Sequence, residues 1–345
     1  MNYLVHFLIL ILVYLPSLLI GQENNHKQTK TELPFSKNNL GIRYEHKQKE
    51  SFLSKLFRGY LIITNLENAK NRNTTKAIYY KQKVAAKIPK KLSPYLIDTQ
   101  IIEGRNIWTF AQDNQPKEKV ILYLHGGAFF ANILKQHWDL IYALVHTTNA
   151  IVIVPDYPLA PEVNYQDIYN FMDKYYAYFQ AQYKHATITF MGDSAGGNLA
   201  IAYSMYLQEN KQKMPQQIIA IAPWLDLNMD NPNIALISKK DRMLNMNTLH
   251  IAANIYANNT SLNNYKISPI FGNIEQLPPI SIFVGTYDVL YADCIKFKEK
   301  FEKENIAINF FEYPKMQHVW IAGTILKEAK SAINQIATLI HLLNQ

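Results

Sequence analysis

Six short apolar runs separated by helical patterns constrain this chain more than any other feature. The runs are Val120–Leu124, Ala150–Val154, Thr187–Met191, Gln217–Ile221, Ile280–Val284 and Ile306–Phe311. Most are rich in Val, Ile and Phe and lack strict alternation, as expected of strands buried on both faces. Between them Tyr165–Gln180, Asn198–Gln208, Asp293–Lys303 and Ile325–Leu343 carry helix-like patterns. Strand, helix, strand, repeated, predicts an α/β fold: a mostly parallel central sheet with helices on both faces. In such sheets chemistry gathers beyond the carboxyl ends of the strands, so the residues after each run are the ones to read.

After Met191 stands Gly192-Asp193-Ser194-Ala195-Gly196-Gly197-Asn198, a Gly-x-Ser-x-Gly pattern between a strand and a helix. So tight a turn requires small flanking residues and holds the serine hydroxyl exposed at a helix amino terminus. Free N–H groups and partial positive charge there favour developing negative charge. After Leu124 stands His125-Gly126-Gly127-Ala128-Phe129-Phe130. Acyl transfer needs preorganised donors for the oxyanion of its tetrahedral intermediate, and losing one costs about 100- to 1000-fold in rate. The backbone N–H groups of Gly126, Gly127 and Ala195 are the candidate donors. His125 reads as a residue that pins this loop.

A serine nucleophile needs a base, and the base needs an orienting acid. On a strand-to-helix nucleophile turn the chain order is Ser, then Asp or Glu, then His. Three histidines follow Ser194: His250, His318 and His341. His250 precedes the Ile280 run and comes too early, while His341 lies within the apolar pattern of the last helix. His318, beyond the final strand, is the candidate base. Asp288, in Gly285-Thr286-Tyr287-Asp288-Val289-Leu290, is the candidate acid, with Asp293 as its fallback.

These segments, with Asp156-Tyr157-Pro158-Leu159-Ala160-Pro161-Glu162 and Pro223-Trp224-Leu225-Asp226-Leu227, resemble the hormone-sensitive-lipase-like branch of α/β-hydrolases over roughly residues 95 to 345. The resemblance implies a serine carboxylesterase in which Ser194 attacks, His318 shuttles the proton and Asp288 orients the imidazole. No metal or cofactor is implied, and the partner is a small-molecule acyl ester. The family and a cap rich in bulky side chains imply a short, acetyl-like acyl group. The family's cap is expected from Glu50–Asn65 and Leu244–Asn258. Two departures stand out: Ala128 where many members have a third glycine, and Pro158 where an arginine is common, which removes an internal ion pair. Glu162 is expected in a buried polar network around the nucleophile loop. The same triad also serves amide or peptide cleavage, and some members of this branch bind small ligands without turning them over.

Tyr3–Ile20 holds no Lys, Arg, Asp or Glu, the length of a signal-peptide core and barely that of a bilayer span. Residues 1–21 are therefore expected to target the chain to a membrane, either cleaved with secretion or retained as an anchor. Residues 22–45 read as a polar linker and 46–345 as the α/β-hydrolase domain with an amino-terminal cap helix. In that helix Phe52, Leu53, Leu56, Phe57, Tyr60 and Leu61 recur at helical spacing among basic residues, which suits either packing as a lid or an anionic membrane surface.

Of the 345 residues, 22–119 carry 19 basic and 9 acidic side chains, whereas the remainder is slightly acidic. A basic arm is one mark of nucleic-acid binding, but no recognised module accompanies it, so no nucleic-acid partner is expected. The single cysteine, Cys294, excludes an internal disulfide.

Overall fold

The computed structural model describes residues 37–38, 40–68, 86–113 and 118–343. In chain order the strands are β1 (Lys37–Asn38), β2 (Gly41–Glu45), β3 (Leu96–Ile102), β4 (Arg105–Phe110), β5 (Lys119–Leu124), β6 (Ile151–Pro155), β7 (Thr187–Asp193), β8 (Gln217–Ile221), β9 (Ile280–Gly285) and β10 (Asn309–Tyr313). The helices are α1 (Phe52–Asn68), α2 (Lys135–Thr148), α3 (Tyr165–Gln182), α4 (Ala195–Glu209), α5 (Ile234–Ile237), α6 (Met246–Ala257), α7 (Tyr291–Lys303) and α8 (Lys327–Leu342).

The strands order as β1-β2-β10-β9-β8-β7-β5-β6-β4-β3. From β2 to β6 every neighbouring pair is parallel; β4 and β3 close one edge antiparallel, as β1 does the other. All six expected strands are present, and their composition follows from burial on both sides. Val120, Leu122 and Leu124 face one core layer, whereas Ile121 and Tyr123 face the other. Likewise Ile218 and Ala220 oppose Ile219 and Ile221, and Phe310 opposes Phe311. Helices α3, α4, α6 and α7 cover the first face through Tyr169, Leu199, Tyr256 and Phe297. Helices α2 and α8 cover the second through Trp138, Ile141, Ile333 and Ile336. Because both faces are apolar, the polar machinery is confined to the strand ends.

Three additions lie outside the expected alternation. Residues 41–45, within the stretch read as linker, form β2 and pair with β10, with Phe310 opposite Arg43. Strands β3 and β4 form a hairpin whose turn, Glu103-Gly104, has positive φ at both residues, the geometry that matches the twist of a two-residue hairpin. Helix α2 follows the His125 loop. Helix α1 is docked: Glu328 of α8 accepts hydrogen bonds from the Ser51 N–H (2.6 Å), Ser51 Oγ (2.9 Å) and Ser54 Oγ (2.7 Å).

Membrane targeting, expected from residues 3–20, is corrected here. Among the described residues no helix is long and apolar enough to cross a membrane, and the 1–21 segment on which that expectation rested lies outside them.

Candidate active site

Ser194 stands between the end of β7 and the start of α4, with φ 53° and ψ −118°. A non-glycine residue adopts that backbone only when its surroundings impose it. Here the Ser194 N–H donates to the Ile221 carbonyl (2.9 Å), and its carbonyl accepts from the Trp224 N–H (3.1 Å) and the Asn198 N–H (2.9 Å). A Cβ on Gly196 would collide with the Leu124 carbonyl, and one on Gly192 with the backbone of Gly196. The flanking glycines are therefore required by contact between β5, β7 and α4, as the motif's small-residue rule anticipates.

Asp288 and His318 come together at the ends of the adjacent strands β9 and β10. His318 Nδ1 lies 2.8 Å from Asp288 Oδ2, and Asp288 Oδ1 accepts the Leu290 N–H at 2.9 Å. Asp288 is wholly buried and His318 nearly so. With Nδ1–H directed at the carboxylate, a neutral His318 keeps its lone pair on Nε2, the arrangement a general base needs. Burial alone would push the His318 pKa down. The charge and hydrogen bond of Asp288, aided by Asp241 and Asp193, outweigh it and hold the imidazole above its ordinary 6.5. The fallback acid, Asp293, instead accepts from Asn231 Nδ2 at 2.9 Å. His250 and His341 are exposed.

The loop after β5 departs from expectation at Gly126. Its N–H donates to Asp193 Oδ1 at 3.1 Å, so that donor is already engaged. The next two N–H groups, of Gly127 and Ala128, carry no hydrogen bond among the described residues, and both residues are partly exposed. Gly127, Ala128 and Phe129 all have positive φ, at 133°, 54° and 63°. Two of these three are not glycine, so their surroundings must impose that backbone. Ala195, the first residue of α4, adds an N–H without an intrahelical acceptor. Gly127, Ala128 and Ala195 thus offer N–H groups without a partner among the described residues, whereas the Gly126 N–H is engaged and a Cβ there would collide with Asp193.

Asp193 anchors this loop. The Tyr123 hydroxyl donates to its Oδ1, and its Oδ2 lies 3.3 Å from His137 Nε2. His137 Nδ1 accepts the Leu134 N–H at 2.9 Å, so the ring proton sits on Nε2 and points at the carboxylate. Burial pushes Asp193 up, but His137, Tyr123 and His125 together bring it below its ordinary value. His125 itself is held neutral: burial and then the neighbouring His137 lower its pKa to about 4. Its Nδ1 lies 2.8 Å from the Gly126 carbonyl, and its ring stacks on Tyr157 at 4.6 Å.

His137 and Tyr123 were not singled out in the sequence. Only their position beside Asp193 reveals them, although His137 begins the helical spacing Trp138, Ile141, Val145. The ion pair expected to be absent with Pro158 is replaced from another strand: Arg105 of β4 donates Nε to the Asp156 carbonyl (2.7 Å) and pairs with its carboxylate at 3.2 Å. Glu162, expected in a buried network, is exposed. Among the described residues no group of three or more His, Cys, Asp or Glu side chains is arranged to hold a metal ion.

Residues 121–322 match the family described as alpha/beta hydrolase fold. A protein named esterase from Acinetobacter venetianus is 32% identical over 222 residues, covering 64% of this chain and 73% of that protein. A protein named acetyl-hydrolase from Streptomyces hygroscopicus is 28% identical over 217 residues, covering 62% and 73%. The crystal structure of an esterase from the bacterial hormone-sensitive lipase family superposes with a TM-score of 0.72, covering 85% of this chain and 98% of that one at 20% identity. At that identity the superposition speaks for the fold alone. The chain belongs to the α/β-hydrolase family.

Proposed function

We propose that this ester hydrolase is a serine carboxylesterase acting on short-chain, acetyl-like acyl esters through an acyl-Ser194 intermediate. The observation that carries the reading is the 2.8 Å hydrogen bond between His318 Nδ1 and Asp288 Oδ2, made beyond the carboxyl ends of β9 and β10, the same end of the parallel strands at which β7 presents Ser194 on its positive-φ elbow. His318 Nε2 takes the proton of Ser194 Oγ as that oxygen attacks the ester carbonyl. The oxyanion is received by the N–H groups of Gly127, Ala128 and Ala195. The imidazolium, stabilised by Asp288, then gives its proton to the departing alcohol. Water, deprotonated by the same nitrogen, cleaves the acyl-serine and returns Ser194 to its starting form.

Two observations support a short acyl group. One relative carries the name acetyl-hydrolase. In addition Phe129, Trp224 and Tyr256 are wholly buried and stacked together next to the Ser194 elbow, with Phe129 and Tyr256 centroids 3.7 Å apart. We read these rings as limiting the depth open to an acyl chain.

The test is steady-state hydrolysis of p-nitrophenyl esters from acetyl to dodecanoyl by the wild-type chain and its Ser194→Ala variant. Turnover greatest on the shortest esters and lost in the variant is expected. Wild-type turnover in Ser194→Ala overturns the mechanism, and a preference for dodecanoyl overturns the chain-length assignment. A folded wild-type chain that cleaves matched amides but no ester moves the substrate class to amides.

A further inference from the structure

Between α5 and α6 the cap passes close to the acid and base through three consecutive residues, Lys240, Asp241 and Arg242. Asp241 is buried. Its Oδ1 accepts the N–H groups of Met243 (2.7 Å) and Leu244 (2.9 Å), which ties the carboxylate to its own turn. Its Oδ2 reaches across to the Val289 N–H at 2.9 Å. Val289 is the residue after Asp288, and the next N–H, that of Leu290, donates to Asp288 itself. The turn that aims Asp288 is therefore held by two carboxylates, its own and the cap's.

The neighbours of Asp241 engage the other loop. Gln317, immediately before His318, accepts the Arg242 N–H on Oε1 at 2.8 Å and donates Nε2 to the Lys240 carbonyl at 3.2 Å. Gln317 is also buried. Its carboxamide thus docks on the backbone at both sides of Asp241. One tripeptide of the cap bonds the acid loop through its central side chain and the base loop through its flanking backbone.

We propose that the Lys240–Arg242 segment belongs to the catalytic assembly, with Asp241 and Gln317 as positioning residues that hold Asp288 and His318 in register. The inference rests on the reading of those two residues as acid and base. Without the bracket the acid itself is joined to the β10 loop, among the described residues, only by the Asp288–His318 bond. The other links lie before it: the Tyr287 N–H to the Met316 carbonyl (3.1 Å), the Thr286 N–H to the Tyr313 carbonyl (3.1 Å) and the Lys315 N–H to Thr286 Oγ1 (2.9 Å). With it, movement of the cap is transmitted to both partners of the pair.

Asp241 acts in a second way that separates it from a scaffold residue. The carboxylates facing the His318 imidazole are Asp288 from the turn after β9, Asp193 from β7 and Asp241 from the cap. Asp241 in turn is faced by Asp288; burial and that charge push its pKa up, against its three backbone N–H donors. Removing the Asp241 charge therefore makes His318 less basic, whereas cutting the Gln317 bonds changes no charge.

The experiment measures kcat and KM against pH for p-nitrophenyl acetate in the full chain, for wild type, Asp241→Asn, Gln317→Leu and Asp288→Ala. Both positioning variants are expected to lose about tenfold to hundredfold in kcat, the scale on which a small misplacement of a catalytic group acts, with KM little changed. The acid limb of kcat/KM is expected to move to lower pH in Asp241→Asn and to stay in place in Gln317→Leu. An unmoved limb in a folded Asp241→Asn, or wild-type kcat in Gln317→Leu, overturns the proposal. Should Asp241→Asn not fold, the kcat of Gln317→Leu decides. Loss of turnover in Asp288→Ala with full turnover in both positioning variants sinks the bracket alone; full turnover in Asp288→Ala sinks the reading beneath it.

Discussion

Substituting Asp193→Asn tests how the oxyanion loop is held. In the native arrangement one carboxylate accepts from three buried donors: the Tyr123 hydroxyl, the Gly126 N–H and His137 Nε2–H. An asparagine that keeps its oxygen toward Tyr123 and Gly126 turns its NH2 toward His137 Nε2–H, so two donors meet. Flipping the amide only moves the conflict to the other side. Changing the His137 tautomer leaves the Leu134 N–H facing a proton, because Nδ1 now accepts it. At least one buried donor therefore loses its acceptor, at a cost of about 1–3 kcal/mol. His137, neutral in this tautomer, adds no ion-pair energy, so the cost stays at about 1–3 kcal/mol. A chain of ordinary stability, about 5–15 kcal/mol, stays folded after such a loss.

The assay is urea unfolding of wild type, Asp193→Asn, His137→Gln and the double variant. In the double variant the introduced glutamine can offer its oxygen to the NH2 of the introduced asparagine. The pair of changes is therefore expected to cost at least about 1 kcal/mol less than the sum of the singles, within the range of coupling between contacting residues. Independent sites add to within about 0.5 kcal/mol; additivity at that level would refute the donor-conflict argument. The kcat of Asp193→Asn should fall as well, since the Gly126 contact fixes the loop that carries Gly127 and Ala128.

Ala128→Gly should raise the melting temperature with activity retained, because φ 54° penalises alanine and not glycine; a lower melting temperature would show that the Ala128 methyl matters more. Tyr256→Phe should stabilise by about 1 kcal/mol, since its hydroxyl is buried without a hydrogen-bond partner among the described residues, and a destabilised variant would reveal a partner for it. Because the pKa of His318 is raised, the acid limb of wild-type kcat/KM should lie above pH 6.5; a limb below that value contradicts the assignment. Burial pushes Asp293 from 3.8 to about 6. Between those values the native state binds the proton more tightly than the unfolded chain, so this group's contribution to stability falls as pH rises. Asp293→Asn should therefore melt higher than wild type at pH 7.5 and lose that advantage near pH 4, and an equal difference at both pH values would count against it.

Much of this was legible because it is written in local pattern. The strands at Val120, Thr187, Gln217 and Ile280 are buried at nearly every position and mostly apolar, since helices cover both faces of the sheet, and burial on two sides leaves little to alternate. The elbow at Ser194 could be located because only glycine fits where β7 and α4 touch β5. The strands at the sheet's margins carried weaker signals. On the edge strand β3, Ile97 and Ile101 are exposed, and β2 holds Arg43 and Glu45 between its apolar residues, so neither resembled a core strand. The helix α2 was hidden behind a glycine- and aromatic-rich loop, although Trp138, Ile141 and Val145 keep helical spacing.

The sequence by itself determined the α/β alternation, the position of the serine turn and the chain order of the candidate acid and base, because each depends on residues near one another in the chain. Only the tertiary structure decided which N–H groups of the His125 loop stay free. Gly126 and Gly127 are chemically identical neighbours, and what separates them is Asp193, 67 residues from Gly126, whose carboxylate takes one N–H and leaves the other. The same holds for Asp241, Gln317 and His137. None of them stands in a motif, and each acquires its role from a hydrogen bond across a long sequence separation. Such a bond forms where strand ends converge, and a linear pattern carries no record of the direction in which a polar group points.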